Sequence, residues 1–319
     1  MDFYKNAYLN AKYNYKEDIH LLNVLSLFDG ISCGQVALER VGIKVDTYYA
    51  SEIKKTAIKV TKLNYPNTIH IGDVTKVSYN DGILYTENGE YNIGKIDLLI
   101  GGSPCQDFAV CRLLNGDSRD GLEGKKSRLF YEYLRIKKEC NPTYFLLENV
   151  KMKKESEIEL NNYIGIKGLH INSILVSYQN RERIYWTNIP NVTIPEDKNI
   201  NFQDYKDTDY NYCKAYKVPK TPSRERMWNS GSGRSRCIAC PNVTHSKKIN
   251  CITRKQDRQP NSGLIEFDNF CRFLTPHELE QGQTLPIGYT DCLSYRQAQD
   301  VIGDGWTVDV IVHILENIT

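Results

Sequence analysis

Long hydrophobic runs are missing from this 319-residue sequence: nowhere do about 18 apolar residues follow one another, as a membrane-spanning helix needs. The opening residues, Met1 to Asn10, also lack the apolar stretch of a secretory leader. Net charge is nearly absent, at +2 from 41 Lys and Arg against 39 Asp and Glu, so attraction to a polyanion has to come from a local patch. No Gly-x-x-x-x-Gly-Lys-Ser/Thr loop occurs, which disfavours a nucleoside triphosphate as ligand. Low hydrophobicity and glycine repeats are absent too, since 40% of residues are apolar and only 21 are Gly, which excludes a disordered or collagen-like chain. Ten cysteines are present but scattered; they read as reduced thiols of a cytosolic protein, not as a small disulfide scaffold.

What is present is alternation. Val24 to Phe28 is a short apolar run stopped by Asp29-Gly30, and Cys33 to Gly42 carries apolar residues at helical spacing. Strand patterns follow at Thr47–Ser51, Thr68–Ile71, Ile96–Ile100 and Tyr144–Leu147, with helix patterns at Ile53–Tyr65 and Ser127–Cys140. Ile171–Ser177 and Arg183–Thr187 read as an antiparallel pair. This order predicts an α/β fold with a mostly parallel, doubly wound sheet, in a first domain spanning residues 1–190. From Pro190 to Phe270 the periodicity fades, and between Lys220 and Arg258 ten Lys or Arg face only two acids, Glu225 and Asp257, a local charge of +8. Such a patch beside Trp228, Asn229 and Gln256 suits phosphate contact with base-edge readout, so residues 191–270 are assigned to nucleic-acid recognition. Thr275-Pro276 caps a further helix, and an apolar helix over Thr307–Ile318 lets residues 271–319 return to the first domain.

The chemistry-bearing residues stand where strands end, the edge at which open α/β sheets gather ligands. Phe28 to Gly34 forms a glycine turn between strand and helix, Glu52 follows the second strand and Asp73 the third. Those acids are placed to accept hydrogen bonds from ribose hydroxyls and from an amino group such as that of adenine. The fourth strand runs into Gly101-Gly102-Ser103-Pro104-Cys105-Gln106, the next ends Leu147-Glu148-Asn149, and Arg181 and Arg183 alternate so that both point to one face of an extended segment. A thiol, an acid and a guanidinium are what substitution at C5 of cytosine needs. The thiolate adds to C6 and makes C5 nucleophilic, the acid neutralises N3, and the guanidinium holds O2.

With these blocks in this order, the sequence resembles the cytosine-5 DNA methyltransferases from Val24 to the C-terminus. The turn Phe28–Gly34, Pro104-Cys105-Gln106, Glu148-Asn149-Val150, Gln179-x-Arg181-x-Arg183, Leu274-Thr275-Pro276 through Gln283-Thr284-Leu285-Pro286, and Gly303-Asp304-Gly305-Trp306-Thr307-Val308 carry the likeness. Leu27 to Ile31 and Gly121 to Gly124 are similar to the animal de novo branch, whereas the short recognition segment resembles bacterial and phage enzymes.

The resemblance implies a Rossmann-like class I methyltransferase fold with a smaller, irregular target-recognition domain, and S-adenosyl-L-methionine as cofactor. By that likeness Cys105, Glu148, Arg181 and Arg183 are catalytic; Phe28, Asp29, Gly30, Ile31, Cys33, Glu52, Ile53, Asp73, Val74, Pro104, Gly305 and Trp306 hold the cofactor. Gln106, Arg224, Arg226, Arg234, Arg236, Lys247, Arg254 and Lys255 are the DNA-contact candidates, and residues 107–126 a loop that closes on DNA. The implied partners are double-stranded DNA, whose cytosine must be flipped out to be reached, and, for a restriction-linked enzyme, a cognate restriction endonuclease. The implied setting is a cytoplasmic, nucleoid-associated monomer without membrane contact. Two alternatives stay open: a tRNA cytosine-5 methyltransferase, and a catalytically silent DNA-binding regulator.

Three positions depart from the family pattern. Asp304 stands where bacterial members usually have Asn, Gly282 replaces a bulky apolar residue before Gln283, and the loop after Cys105 carries a longer charged insert. Glycine at 282 should loosen its helix by roughly 1 kcal/mol. Cys237-x-x-Cys240, His245 and Cys251 approach zinc-knuckle spacing but miss it by one residue in the last gap, and Cys251 to Arg254 fits a strand better, so no metal is assigned.

Overall fold

The computed structural model describes residues 21–104, 128–218, 222, 242–256, 261–267 and 270–318. Its elements are β1 (Leu22–Leu27), α1 (Cys33–Val41), β2 (Val45–Ser51), α2 (Lys55–Asn64), β3 (Ile69–His70), β4 (Ser78–Asn80), β5 (Ile83–Thr86), β6 (Gly89–Asn92) and β7 (Leu98–Gly102). Then follow α3 (Arg128–Cys140), β8 (Tyr144–Val150), α4 (Lys154–Ile164), β9 (Leu169–Asn172), β10 (Gln179–Asn180), β11 (Glu182–Thr187) and α5 (Tyr210–Lys214). The C-terminal part holds β12 (Ile249–Asn250), β13 (Ile265–Phe267), β14 (Phe270–Arg272), α6 (Pro276–Gly282), α7 (Tyr295–Asp304) and α8 (Val308–Leu315).

Seven strands form one sheet in the order β3-β2-β1-β7-β8-β11-β9. The first five run parallel, and β11 is antiparallel to both β8 and β9. Strand period two explains the double winding. In β1, Leu22 and Val24 face a core shared with Val36 and Leu38 of α1 and Ile311 of α8. Leu25 and Leu27 face the opposite layer, with Phe130, Tyr133 and Ile136 of α3 and Leu160 of α4. Each fully buried Leu or Ile contributes roughly 1.5–3 kcal/mol. The chain reverses direction across the sheet between β1 and β7, the switch point at which the carboxyl ends of neighbouring strands open a crevice.

Several boundaries differ from expectation. The strand read over Ile171–Ser177 is β9 and stops at Asn172, because the Asn172 carboxamide oxygen accepts from Ile174 N and caps a single 3-10 turn, Ser173–Leu175. Its antiparallel pairing with β11 is as expected. Cys251 to Arg254 is not a strand; the pairing residues are Ile249 and Asn250, which lie against β10. The meander β4-β5-β6 and the helices α4 and α7 have no counterpart in the sequence reading. Gly282 closes α6 at its last residue, so its helix penalty is small. Its lack of a side chain answers close packing: a Cβ there would sit 2.4 Å from Ile252 Cδ1. Among the described residues no helix is long and apolar enough to cross a membrane.

Candidate active site

The turn after β1 is built by backbone that a helix or strand cannot adopt. Phe28, Gly30 and Ser32 all have φ near +60°, strained for the two non-glycine residues. It is held by Asp29 N donating to Ser51 O (3.1 Å) and Ser32 N to Asp29 O (3.1 Å). Glu52, at the end of β2, locks it further. Its carboxylate accepts from Gly30 N, Ile53 N and Lys54 N, each at 2.8 Å. The Asp29 carboxylate accepts from Tyr48 Oη (2.7 Å) and from Ser32 Oγ; burial outweighs these donors and pushes its pKa up to about 6. Asp73 caps the short turn Val74–Lys76 by accepting from Thr75 N (2.9 Å).

Most of these residues line one cavity of about 520 Å³. Of the twelve residues assigned to the cofactor, eleven are on its wall, namely Phe28, Asp29, Gly30, Cys33, Glu52, Ile53, Asp73, Val74, Pro104, Gly305 and Trp306. Ile31 instead is buried in the core (1% exposed). The sequence reading missed wall residues beside the ones it found: Ser51, Lys54, Thr75, Gly102, Ser103, Val301 and Gly303. For all but Val301, which lies inside α7, the signal was adjacency to strand ends and turns already singled out.

Glu148, Arg181 and Arg183 reach the same cavity from β8, from the turn after β10 and from β11. Arg183 Nε lies 2.9 Å from Glu148 Oε1, with both side chains largely buried. Alternation thus brings the two arginines to one cavity, but their partners differ. Arg181 donates to backbone carbonyls of Ile252 (2.9 Å), Gly305 (2.9 Å) and Gly303 (3.3 Å), tying the end of α7 and the residue after it to the segment that follows β12. Beside it sits Cys251, with its sulfur 3.4 Å from Arg181 Nη1. Burial alone would raise this thiol's pKa, but Arg181 and Arg183 outweigh burial and lower it. Cys105 and Gln106 lie outside the described residues, next in sequence to Pro104 on the cavity wall.

Of the DNA-contact candidates, Arg224, Arg226, Arg234 and Arg236 lie outside the described residues, and Lys247 and Lys255 are exposed. Arg254 is engaged at the cavity rim: its Nε lies 2.6 Å from Asp300 and 3.6 Å from Asp304. Lys54 meets the same two acids at 2.7 and 3.0 Å. Asp304, the departure from the family's Asn, therefore belongs to a four-residue charge cluster. Asp300 is lowered in pKa, since Arg254 and Lys54 outweigh its desolvation. Cys237 and Cys240 lie outside the described residues, and among those described no three His, Cys, Asp or Glu are grouped to hold a metal.

The C-5 cytosine-specific DNA methylase family matches residues 22–230. The chain is 34% identical over 178 residues to the orphan methyltransferase M.Rho11sI of Bacillus phage rho11s, covering 51% of this chain and 32% of that protein. It is 42% identical over 122 residues to the DNA (cytosine-5)-methyltransferase DRM2 of Arabidopsis thaliana, 37% of this chain and 18% of that one. The match thus spans a third or less of these relatives' own length. In fold it is similar to the Entamoeba histolytica methyltransferase EhMeth, with a TM-score of 0.67 at 16% identity over 93% of this chain and 98% of the other. It is also similar to the S. pombe Dnmt2 methyltransferase, with a TM-score of 0.63 at 16% identity over 92% and 97%. The fold is that of the class I methyltransferases, and the chain belongs to the C-5 cytosine-specific DNA methylase family.

Proposed function

We propose that this chain transfers a methyl group from S-adenosylmethionine to C5 of a cytosine flipped out of double-stranded DNA at a short specific sequence, through a covalent bond from Cys105 to C6. The observation that carries the reading is the buried Glu148–Arg183 pair on the wall of a cavity that also takes in Pro104. Its volume of about 520 Å³ is within the range of small-molecule sites, roughly 300–1,000 Å³. The donor set fits a nucleoside cofactor: Phe28 and Val74 offer apolar surface for adenine, Asp73 an acceptor for its amine, and Glu52 one for the ribose. Asp29, Gly30, Cys33, Gly303, Gly305 and Trp306 line the remaining wall, the place for the methionine moiety.

S-Adenosylmethionine, when bound, supplies the electrophilic methyl group that C5 takes up. The Cys105 thiolate forms the bond to C6, which makes C5 an enamine carbon. Glu148 gives a proton to N3 as negative charge builds on the ring, and Arg183 holds O2 while keeping Glu148 in place. After transfer a base removes the C5 proton, the C6–sulfur bond breaks, and the thiolate is restored. Residues 1–190 then form the catalytic unit, 191–270 read the flanking sequence, and 271–319 complete the cofactor wall. In this reading the enzyme works as a cytoplasmic, nucleoid-associated monomer, and a cognate restriction endonuclease is a proposed partner.

The test is incubation with S-adenosylmethionine and unmodified DNA, with tRNA in parallel, followed by mass spectrometry of the nucleosides. The expected product is 5-methyl-deoxycytidine on DNA alone, lost in Cys105→Ala while that variant still binds S-adenosylhomocysteine. Methylation confined to tRNA would replace the substrate, and DNA binding without any transfer would replace the enzyme by a regulator.

A further inference from the structure

We infer that Trp306 is a positioning residue for Glu148, joining the cofactor wall to the base-protonating acid. Its indole Nε1 donates to Glu148 Oε2 at 3.1 Å, while Arg183 Nε meets Oε1 at 2.9 Å, so each carboxylate oxygen has its own donor. A glycine makes the contact feasible: a Cβ on Gly102 would lie 2.9 Å from Trp306 Nε1 and 3.0 Å from Glu148 Oε2. The loop bearing Trp306 is itself pinned. Arg181 donates to Gly303 O and Gly305 O, Gln283 Nε2 donates to Ile302 O (2.9 Å) and Gly305 O (3.1 Å), and Thr307 Oγ1 donates to Gln283 Oε1 (2.9 Å). The indole is therefore held from behind by a buried polar network while its edge faces the acid and the cavity.

The consequence is positional: with a separate donor on each oxygen, the Glu148 carboxyl is fixed in one orientation at the cavity wall. Among the described residues, Arg183 and Tyr185 on β11 face Glu148, and Tyr185 is raised in pKa by burial and by Glu148. This inference rests on the reading of Glu148 as the acid that serves N3. In that role the tryptophan N–H fixes the orientation of the acid that serves N3, and it ties that orientation to the segment that walls the cofactor site.

The test is Trp306→Phe, which keeps an aromatic wall and removes the donor, together with Gly102→Ala, which leaves both partners intact and wedges them apart. Glutamate carboxyl carbons are labelled with ¹³C, the Glu148 signal is assigned by its loss in Glu148→Gln, and both variants are compared with the wild type at one pH after circular dichroism has verified folding. In each variant the Glu148 signal is expected to move from its wild-type position, since one carboxyl oxygen has lost the indole donor. The kcat of methyl transfer is expected to fall about tenfold, as loss of a hydrogen bond to a charged group implies, and by more than the KM for DNA changes. A Glu148 signal and a kcat that coincide with the wild type in both folded variants overturn the inference and leave Trp306 as a cofactor wall only. Absence of transfer in the wild type overturns the proposed function, and the carboxyl signal still decides the role of Trp306.

Discussion

Glu278 and Arg272 form an ion pair from which water is excluded, both side chains being 0% exposed, and this sets a quantitative expectation for Glu278→Gln. Each carboxylate oxygen accepts two donors. Oε1 takes Arg272 Nη2 (2.8 Å) and Asp207 N (2.9 Å); Oε2 takes Arg272 Nη1 (2.7 Å) and Thr275 N (2.8 Å). A glutamine in either amide orientation presents its NH₂ to two of these four donors and leaves the guanidinium charge unbalanced. Breaking a buried pair in this way costs about 3–5 kcal/mol. Replacing both partners by apolar residues, Glu278→Leu with Arg272→Met, removes the unbalanced charge. It leaves Asp207 O and Phe273 O without the Arg272 donors, and Asp207 N and Thr275 N without the Glu278 acceptors, that they have now, a loss of about 1 kcal/mol or more for each of these backbone groups. Urea denaturation followed by fluorescence and circular dichroism measures both, and each is expected to lose about 3 kcal/mol or more, Glu278→Gln through the unbalanced charge and the double variant through its unpaired backbone groups. The reasoning is refuted if Glu278→Gln costs under about 1 kcal/mol, the scale of an exposed pair.

Two further outcomes follow from the site. Gly303→Ala places a Cβ 2.4 Å from Arg254 N and from Thr253 C, both backbone atoms that cannot swing aside; overpacking of this kind costs about 1–3 kcal/mol. It should lower the urea midpoint and weaken S-adenosylhomocysteine binding, whereas Gly305→Ala, with no contact closer than 3.3 Å, should be milder, and equal effects would count against the packing argument. For Asp29, burial raises the folded pKa to about 6, so the native state binds this proton more tightly than the unfolded chain. Its contribution to stability is fully present below about pH 4 and is lost as pH rises through about 6. Asp29→Asn cannot titrate, so urea midpoints measured at about pH 4 and pH 7 should fall with pH less in the variant than in the wild type; parallel midpoints would contradict the assigned burial.

How much of this was legible in the sequence depends on the range of the interaction. The helix read over Cys33–Gly42 ends at Val41, with Gly42 as a left-handed cap, because apolar spacing and a terminal glycine are local signals. The meander from Ser78 to Asn92 was missed, since its short strands have one exposed face and little apolar alternation. The strand assigned beyond Asn172 failed because a side-chain cap competes with extension at that residue. Arg254 carries a charge that composition alone assigned to DNA. Its engagement with Asp300 depends on a helix 46 residues further on.

The sequence by itself determined which residue types stand at the strand ends. Strand, turn and helix are set within a few residues, and the carboxyl end of each strand is where the pattern breaks. Tertiary structure alone decided how those residues divide their work. Arg181 and Arg183 are equivalent by alternation, yet one holds the carbonyls of a loop over 120 residues away and the other the acid. Trp306 meets Glu148 across 158 residues of chain, and Phe28 takes a left-handed backbone that no local preference of phenylalanine favours. Such contacts are specified by the packing of the whole sheet and its covering helices, because only there do the donors, the acceptors and the excluded volume of distant segments come together.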